Sequence, residues 1–203
     1  MLIFKYAKTD GYQFVSHLDT LKHIQKSITR GEIPIEYSKG FNPHMLVFMS
    51  SPLGVGIKSI AEYCFIETPM DAAEFFEKYN SSCPGGLRAI FAKNVDKKPN
   101  LAACINGAEY VFKGVPDSLD VQKILSSDCF TVIDKKGEEK NIRDRIQNLR
   151  KENGDLVATL SFGAKTLRPD SFIKTLEKEY NFEVEDYFKV NSFCDGKLPE
   201  EVF

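Results

Sequence analysis

The order in which strand-like and helix-like segments follow one another is the feature that most constrains the fold of this chain. Over residues 1–96 the spacing of apolar residues changes between the two-residue period of strands and the 3.6-residue period of helices. The order approximates β-α-β-β-α-β, which is typical of a ferredoxin-like unit, an antiparallel sheet backed by two helices. The predicted strands are 2–8, 33–37, 45–49, 60–67 and 87–95, and the predicted helices are 17–30 and 71–79.

The first predicted helix has well-marked ends. Ser16 is a favourable N-cap residue, and Asp19 follows in the first turn. Gly31 is a favourable stop at the other end. Apolar residues recur every three or four positions in between, which predicts one buried stripe and leaves the basic side chains on other faces.

Residues 105–195 are predicted to repeat this plan after a hydrophilic linker at 96–100. We therefore predict an α+β protein with tandem ferredoxin-like (βαββαβ) halves, at 1–96 and 105–195, in which antiparallel sheets are backed by helices. The predicted elements of the second half are strands 108–115, 129–133, 155–162 and 187–193, helices 117–126 and 170–180, a charged turn at 135–139, and an ambiguous segment at 142–149.

The composition excludes several classes of protein. A net charge of −2 argues against a uniformly basic coat for nucleic acid, although residues 1–58 carry a net charge of +3 and the remainder −5. The five cysteines are widely spaced, so no zinc or iron–sulfur motif is present, and we expect no metal and no cofactor. No signal peptide or membrane-spanning stretch is visible, which predicts a cytoplasmic protein with reduced thiols and no membrane partner.

The stretch from 37 to 63 is too rich in glycine and proline for ordinary helices or strands. Its two glycine-containing bends offer backbone N–H groups to an anion, and Tyr37 and Phe41 offer rings on which bases can stack. We expect both bends and the start of the first helix to form one solvent-facing pocket. The predicted nucleic-acid contacts are Lys22, Lys26, Arg30, Lys39, Gly40, Phe41, Asn42, His44, Lys58, Arg143 and Arg168.

The three histidines raise the question of a metal or of acid–base chemistry. His17 and His23 are six residues apart, roughly 240° around a helix, so they cannot share a face and no metal site is predicted. His17 and His44, assisted by Tyr37, would instead suit metal-independent cleavage of RNA, because a histidine can both remove and donate a proton near neutral pH.

Three segments carry a resemblance to a known family: FVSHLD at 14–19, YSKGFNPH at 37–44 and SPLGVGIKSIAEY at 51–63. They resemble a radical-SAM-linked bacterial family of a domain of unknown function. Members of that family occur alone or fused behind cobalamin-binding radical-SAM proteins, often encoded near ribonuclease G and ribosomal proteins. This sequence departs from the family pattern at Met45 and Leu46, which replace Pro-Lys, at Gly54, which replaces a proline, and at Lys58, which replaces an acid.

The resemblance implies a radical-SAM protein as partner and RNA as substrate. The CxxxCxxC motif of radical-SAM enzymes is missing here, so any radical step would belong to another chain. The leading hypothesis is a non-catalytic accessory module that binds tRNA or rRNA for a radical-SAM modification enzyme. The alternatives are a metal-independent endoribonuclease that uses His17 and His44, and a protein-only adaptor for a radical-SAM partner.

Overall fold

The computed structural model describes residues 1–133 and 138–203 and combines helices with a large sheet. The strands are β1 (Leu2–Lys8), β2 (Val47–Met49), β3 (Lys58–Ile66), β4 (Ala89–Asn94), β5 (Gly107–Lys113), β6 (Thr131–Ile133), β7 (Glu139–Asn141), β8 (Ile146–Glu152), β9 (Asp155–Ser161) and β10 (Asp186–Phe193). The helices are α1 (His17–Arg30), α2 (Ala72–Ser82), α3 (Leu101–Cys104), α4 (Val121–Ser126), α5 (Pro169–Tyr180) and α6 (Pro199–Val202).

Strands from both halves of the chain join one sheet, in the order β4-β1-β3-β10-β5-β9-β8, and β2 also pairs with β3. The pairing of β3 with β10 is parallel, through Lys58 and Ser59, and the other pairings in this sheet are antiparallel. Strands β6 and β7 form a separate antiparallel pair. The predicted α+β class with a mostly antiparallel sheet is therefore confirmed, whereas the division into tandem ferredoxin-like domains stays a prediction.

The sheet separates two hydrophobic cores. Successive side chains of a strand point to opposite faces, so Ile3 and Phe4 in β1 enter different cores. On the face of Phe4, buried residues pack under α1 and α2; on the face of Ile3, the core continues into the second half, where Phe112 and Phe172 are in ring contact. The N-terminal part of the sheet is thus covered on both faces. Helix α1 lies on the outer side of the core that contains Phe4, which we call the first core.

Local signals predicted some elements to the residue and misplaced others. Strand β1 and helix α1 have the predicted bounds. The predicted strand at 33–37 is wrong, because within it only Tyr37 makes a ladder contact, an isolated bridge with Met45. Pro34 has no N–H to offer a ladder there. The helix predicted at 117–126 begins at Val121, because the Asp120 side chain caps its first turn.

Two further predictions concern a charged turn and the state of the cysteines. The charged turn predicted at 135–139 lies largely outside the described residues. The prediction of reduced thiols is wrong for Cys104 and Cys194, which form a disulfide with their Cα atoms 5.1 Å apart. Cys64, Cys83 and Cys129 are free, and Cys129 is exposed.

Candidate functional site

An open groove lies between α1 and the segment that follows it. Its volume is about 600 Å³. Residues from two parts of the chain form its walls: Lys22, Gln25, Lys26, Thr29 and Arg30 from the helix, and Tyr37, Pro43, His44 and Met45 from the following segment. The groove therefore brings the predicted basic helix and the first predicted bend together.

The helical wall follows from the position of α1 in the fold. The Ser16 hydroxyl accepts the Asp19 N–H at 3.1 Å, which fixes where the helix begins. Ile24 and Ile28 are fully buried against the first core, so the helix is held with one face inward. Side chains four residues apart lie on one side of a helix, and this places Lys22, Lys26 and Arg30 in a row. The row extends over about 12 Å of helix axis.

The three basic side chains of this row differ in their partners. Lys22 Nζ lies 3.0 Å from Asp19 Oδ1, an exposed pair of the kind that contributes little free energy. Arg30 Nε donates to the Ser82 carbonyl at 3.1 Å. Lys26 is exposed and has no ion pair or hydrogen bond among the described residues. Lys26 is therefore the side chain of the row that is freest to meet an anion.

The opposite wall is a hairpin-like loop closed by its own hydrogen bonds. The Ser38 N–H donates to the His44 carbonyl at 2.9 Å, and the His44 N–H donates to Ser38 Oγ at 3.0 Å. Ser38 Oγ also lies 2.8 Å from His44 Nδ1. Next to this pair, Tyr37 and Met45 form a bridge. These contacts fix the base of the loop and hold the His44 ring at the edge of the groove.

The tip of the loop presents its side chains to solvent. Gly40 has a φ of +132°, a conformation that side-chain-bearing residues rarely adopt, and it allows the chain to turn there. Phe41 is fully exposed, and Lys39 and Asn42 are exposed beside it. The residues of this bend that the composition of the loop predicts as contacts are therefore accessible to a ligand.

His17 lies elsewhere. It is half-buried in the first turn of α1, whereas the helical wall of the groove begins at Lys22. Burial is the main cause that lowers the pKa of His17, the positive charge of Lys8 lowers it further, and Glu62 acts in the opposite direction. The groove contains His44 without His17, so it does not supply the shared site that the endoribonuclease hypothesis requires.

The second glycine bend also lies outside the groove. The Gly56 N–H donates to the Gln13 carbonyl at 2.8 Å, which places this bend beside the short turn that precedes α1. Lys58 forms an ion pair with Asp186 of β10 at 2.9 Å. The expected single pocket is therefore divided: one bend forms the groove, and the other packs near the start of the helix.

The two predicted arginine contacts of the second half have partners of their own. Arg143 donates to the carbonyls of Ile146 and Leu125, at 2.8 and 2.6 Å. Arg168 makes two bonds to the Asp170 carboxylate, at 3.0 and 2.7 Å. Neither arginine lines the groove, and these bonds give each guanidinium a local role.

Sequence reasoning missed several residues of the groove. Gln25 and Thr29 lie three residues after Lys22 and Lys26, so helical spacing could have found them. Pro43 and Met45 carried no chemical signal, because an apolar lining depends on how the loop folds back on α1. No group of three or more metal-ligating side chains occurs in residues 1–133 and 138–203.

A family model described as an uncharacterized protein conserved in bacteria (DUF2344) matches residues 2–175. The chain belongs to this family. The match includes both walls of the groove and all strands up to β9. No curated protein matches the chain. Across the described part of this DUF2344 chain, no helix combines the length and apolar character needed to cross a bilayer.

Proposed function

We propose that the chain is an accessory RNA-binding module that works with a radical-SAM enzyme in the modification of tRNA or rRNA. The observation that carries the RNA-binding part is the row of Lys22, Lys26 and Arg30, which faces the closed loop across an open groove. Phosphate contacts from lysine and arginine supply most of the affinity of proteins for nucleic acids. The radical-SAM partner rests on the sequence resemblance alone.

The topology supports ferredoxin-like halves as part of this proposal. In the first half the order is β4-β1-β3-β2, and in the second it is β10-β5-β9-β8. In both, the first strand lies between the last and the third, which is the arrangement of a βαββαβ unit. Such units occur in many unrelated functions, so the topology alone does not identify a ligand.

A salt series tests RNA binding. Filter binding with total tRNA is expected to show retention at about 50 mM salt and a linear fall of log K with log salt concentration. If each of the three basic side chains neutralises one phosphate, the slope is expected to be about −2 to −3. The absence of retention at low salt would contradict the proposal.

Cleavage of the same RNA in EDTA, lost in His44→Ala, would favour the endoribonuclease alternative.

The exposed loop tip also favours a second candidate, a protein-only adaptor. A fully exposed phenylalanine can anchor a protein partner as well as a base. A pull-down of the radical-SAM partner after nuclease treatment separates the two functions. Retention without RNA would support the adaptor, and loss on nuclease treatment would support the RNA-binding module.

A further inference from the structure

The loop tip carries a feature that phosphate binding does not explain. Phe41 is fully exposed, so its ring contributes nothing to either hydrophobic core. The loop is fixed at its base by the hydrogen bonds between Ser38 and His44, rather than by packing of its tip. The fold therefore exposes an apolar ring to water, on a loop whose position is fixed by the hydrogen bonds at its base.

We propose that the groove accepts a single-stranded RNA segment, with its phosphates along the α1 row and an unpaired base stacked on Phe41. This inference rests on the proposed RNA binding and names the kind of RNA. In a duplex the face of each base is covered by its neighbours, and the major groove of A-form RNA is too narrow for side chains. A free ring can stack only on a base that is unpaired or splayed out.

The charges near the tip agree with a single strand lying in the groove. Lys26 lines the groove and has no partner among the described residues, and Lys39 is exposed on the loop that also carries Phe41, so both the helix and the loop offer positive charge. Tyr37 is about half exposed on the groove wall and offers a second ring near the base of the loop. A flexible single strand can contact both the helix and the loop, whereas a duplex is stiff.

Fluorescence anisotropy with one labelled RNA oligonucleotide, alone and annealed to its complement, tests this inference. Phe41→Ala is expected to weaken binding of the single strand by about 5- to 140-fold, the range for loss of one stacked base. The salt slope should stay unchanged, because no charge is removed. Phe41→Tyr should restore binding, since a tyrosine ring also stacks. Phe14→Ala is the matched control, because Phe14 is 68% exposed but lies in the short turn before α1 and not on the loop that forms the groove wall.

The outcomes separate this inference from the proposed function. Equal affinity for single strand and duplex, with no effect of Phe41→Ala, would overturn the single-strand inference and leave RNA binding in place. The absence of binding to either RNA at about 50 mM salt would overturn both. Because Phe41 buries no surface, its substitution leaves folding unaffected, and a loss of affinity reports on the contact itself.

Discussion

At the scale of single residues, the environment of each histidine sets what it can do. His44 is exposed at the groove, and its Nδ1 is held by the Ser38 hydroxyl. His17 is half-buried, and its lowered pKa means that the folded chain favours the neutral imidazole. A hydrogen-bonded, exposed ring suits contact with a ligand, whereas a desolvated ring at the start of a helix links proton binding to stability.

The lowered pKa of His17 predicts a pH dependence of folding. The unfolded chain binds a proton on this residue near its ordinary pKa of 6.5, and the folded chain binds it only at lower pH. Stability contributed by this group is thus present above pH 6.5 and is lost as the pH falls through the folded pKa. Urea unfolding between about pH 7 and pH 5.5 should show this loss.

The His17→Gln variant should lack this part of the pH dependence, because glutamine does not titrate. His44→Gln serves as the control, since His44 is exposed. If His17→Gln and the unchanged chain lost the same free energy of unfolding over this pH range, the lowered pKa would not be linked to folding.

At the scale of elements, the contact between β3 and β10 unites the two halves of the chain. The ladder there is short, and side chains reinforce it: Lys189 Nζ of β10 lies 2.9 Å from Glu62 Oε1 of β3, and both residues are buried. Ser59 donates to the same Glu62 oxygen at 2.7 Å. Water cannot solvate either charge of a buried ion pair. Each charge is therefore stabilised only while its partner is present.

This buried pair predicts a strong asymmetry between single and double substitutions. Lys189→Met leaves the Glu62 carboxylate buried without its cation and is expected to cost about 3–5 kcal/mol of unfolding free energy. Adding Glu62→Gln removes the charge, keeps an oxygen for Ser59, and should recover part of that loss. Chemical denaturation of the two variants measures the difference. A double variant no more stable than Lys189→Met would show that the charge is not the cause.

The exposed pair between Lys58 and Asp186 at the same contact is the natural comparison. Its side chains are about half exposed, so Lys58→Ala should cost no more than about 1 kcal/mol. A loss as large as that of Lys189→Met would contradict the importance of burial at this contact.

The elements also show which parts of the fold the sequence could predict. The bounds of α1 were predictable because its cap at Ser16 and its stop at Gly31 are local. The loop from 37 to 45 was recognisable by its glycine and proline, but its place against α1 depends on contacts between distant residues. The role of Arg143 was not predictable, because its partners are backbone carbonyls that only the folded chain brings near.

At the scale of the whole molecule, one sheet carries both halves, and a disulfide ties α3 to the end of β10. Cys104 ends α3 and Cys194 follows β10, and the two are separated by 90 residues along the chain. Between them lies most of the second half. A cross-link over such a distance restricts the unfolded chain more than a short loop would.

This disulfide predicts that the stability of the chain depends on redox conditions. Cys194→Ser is expected to lower the unfolding free energy by about 2–4 kcal/mol, because the unfolded chain regains conformational freedom. Urea unfolding with and without a reducing agent measures the effect in the unchanged chain. Cys129→Ser is the matched control, since Cys129 is free and exposed. Identical unfolding midpoints in both conditions would contradict a stabilising role.

The central claim is that RNA binds in the groove between α1 and the loop that follows it. The dependence of RNA affinity on salt, measured in two lysine variants, tests this claim most directly. Lys26→Ala removes from the groove a charge that has no partner among the described residues, and Lys174→Ala removes the same charge from an exposed position in α5. If RNA binds in the groove, Lys26→Ala is expected to weaken binding and to make the salt slope shallower by about 1, while Lys174→Ala is expected to change neither. Equal effects of the two variants would contradict RNA binding in the groove.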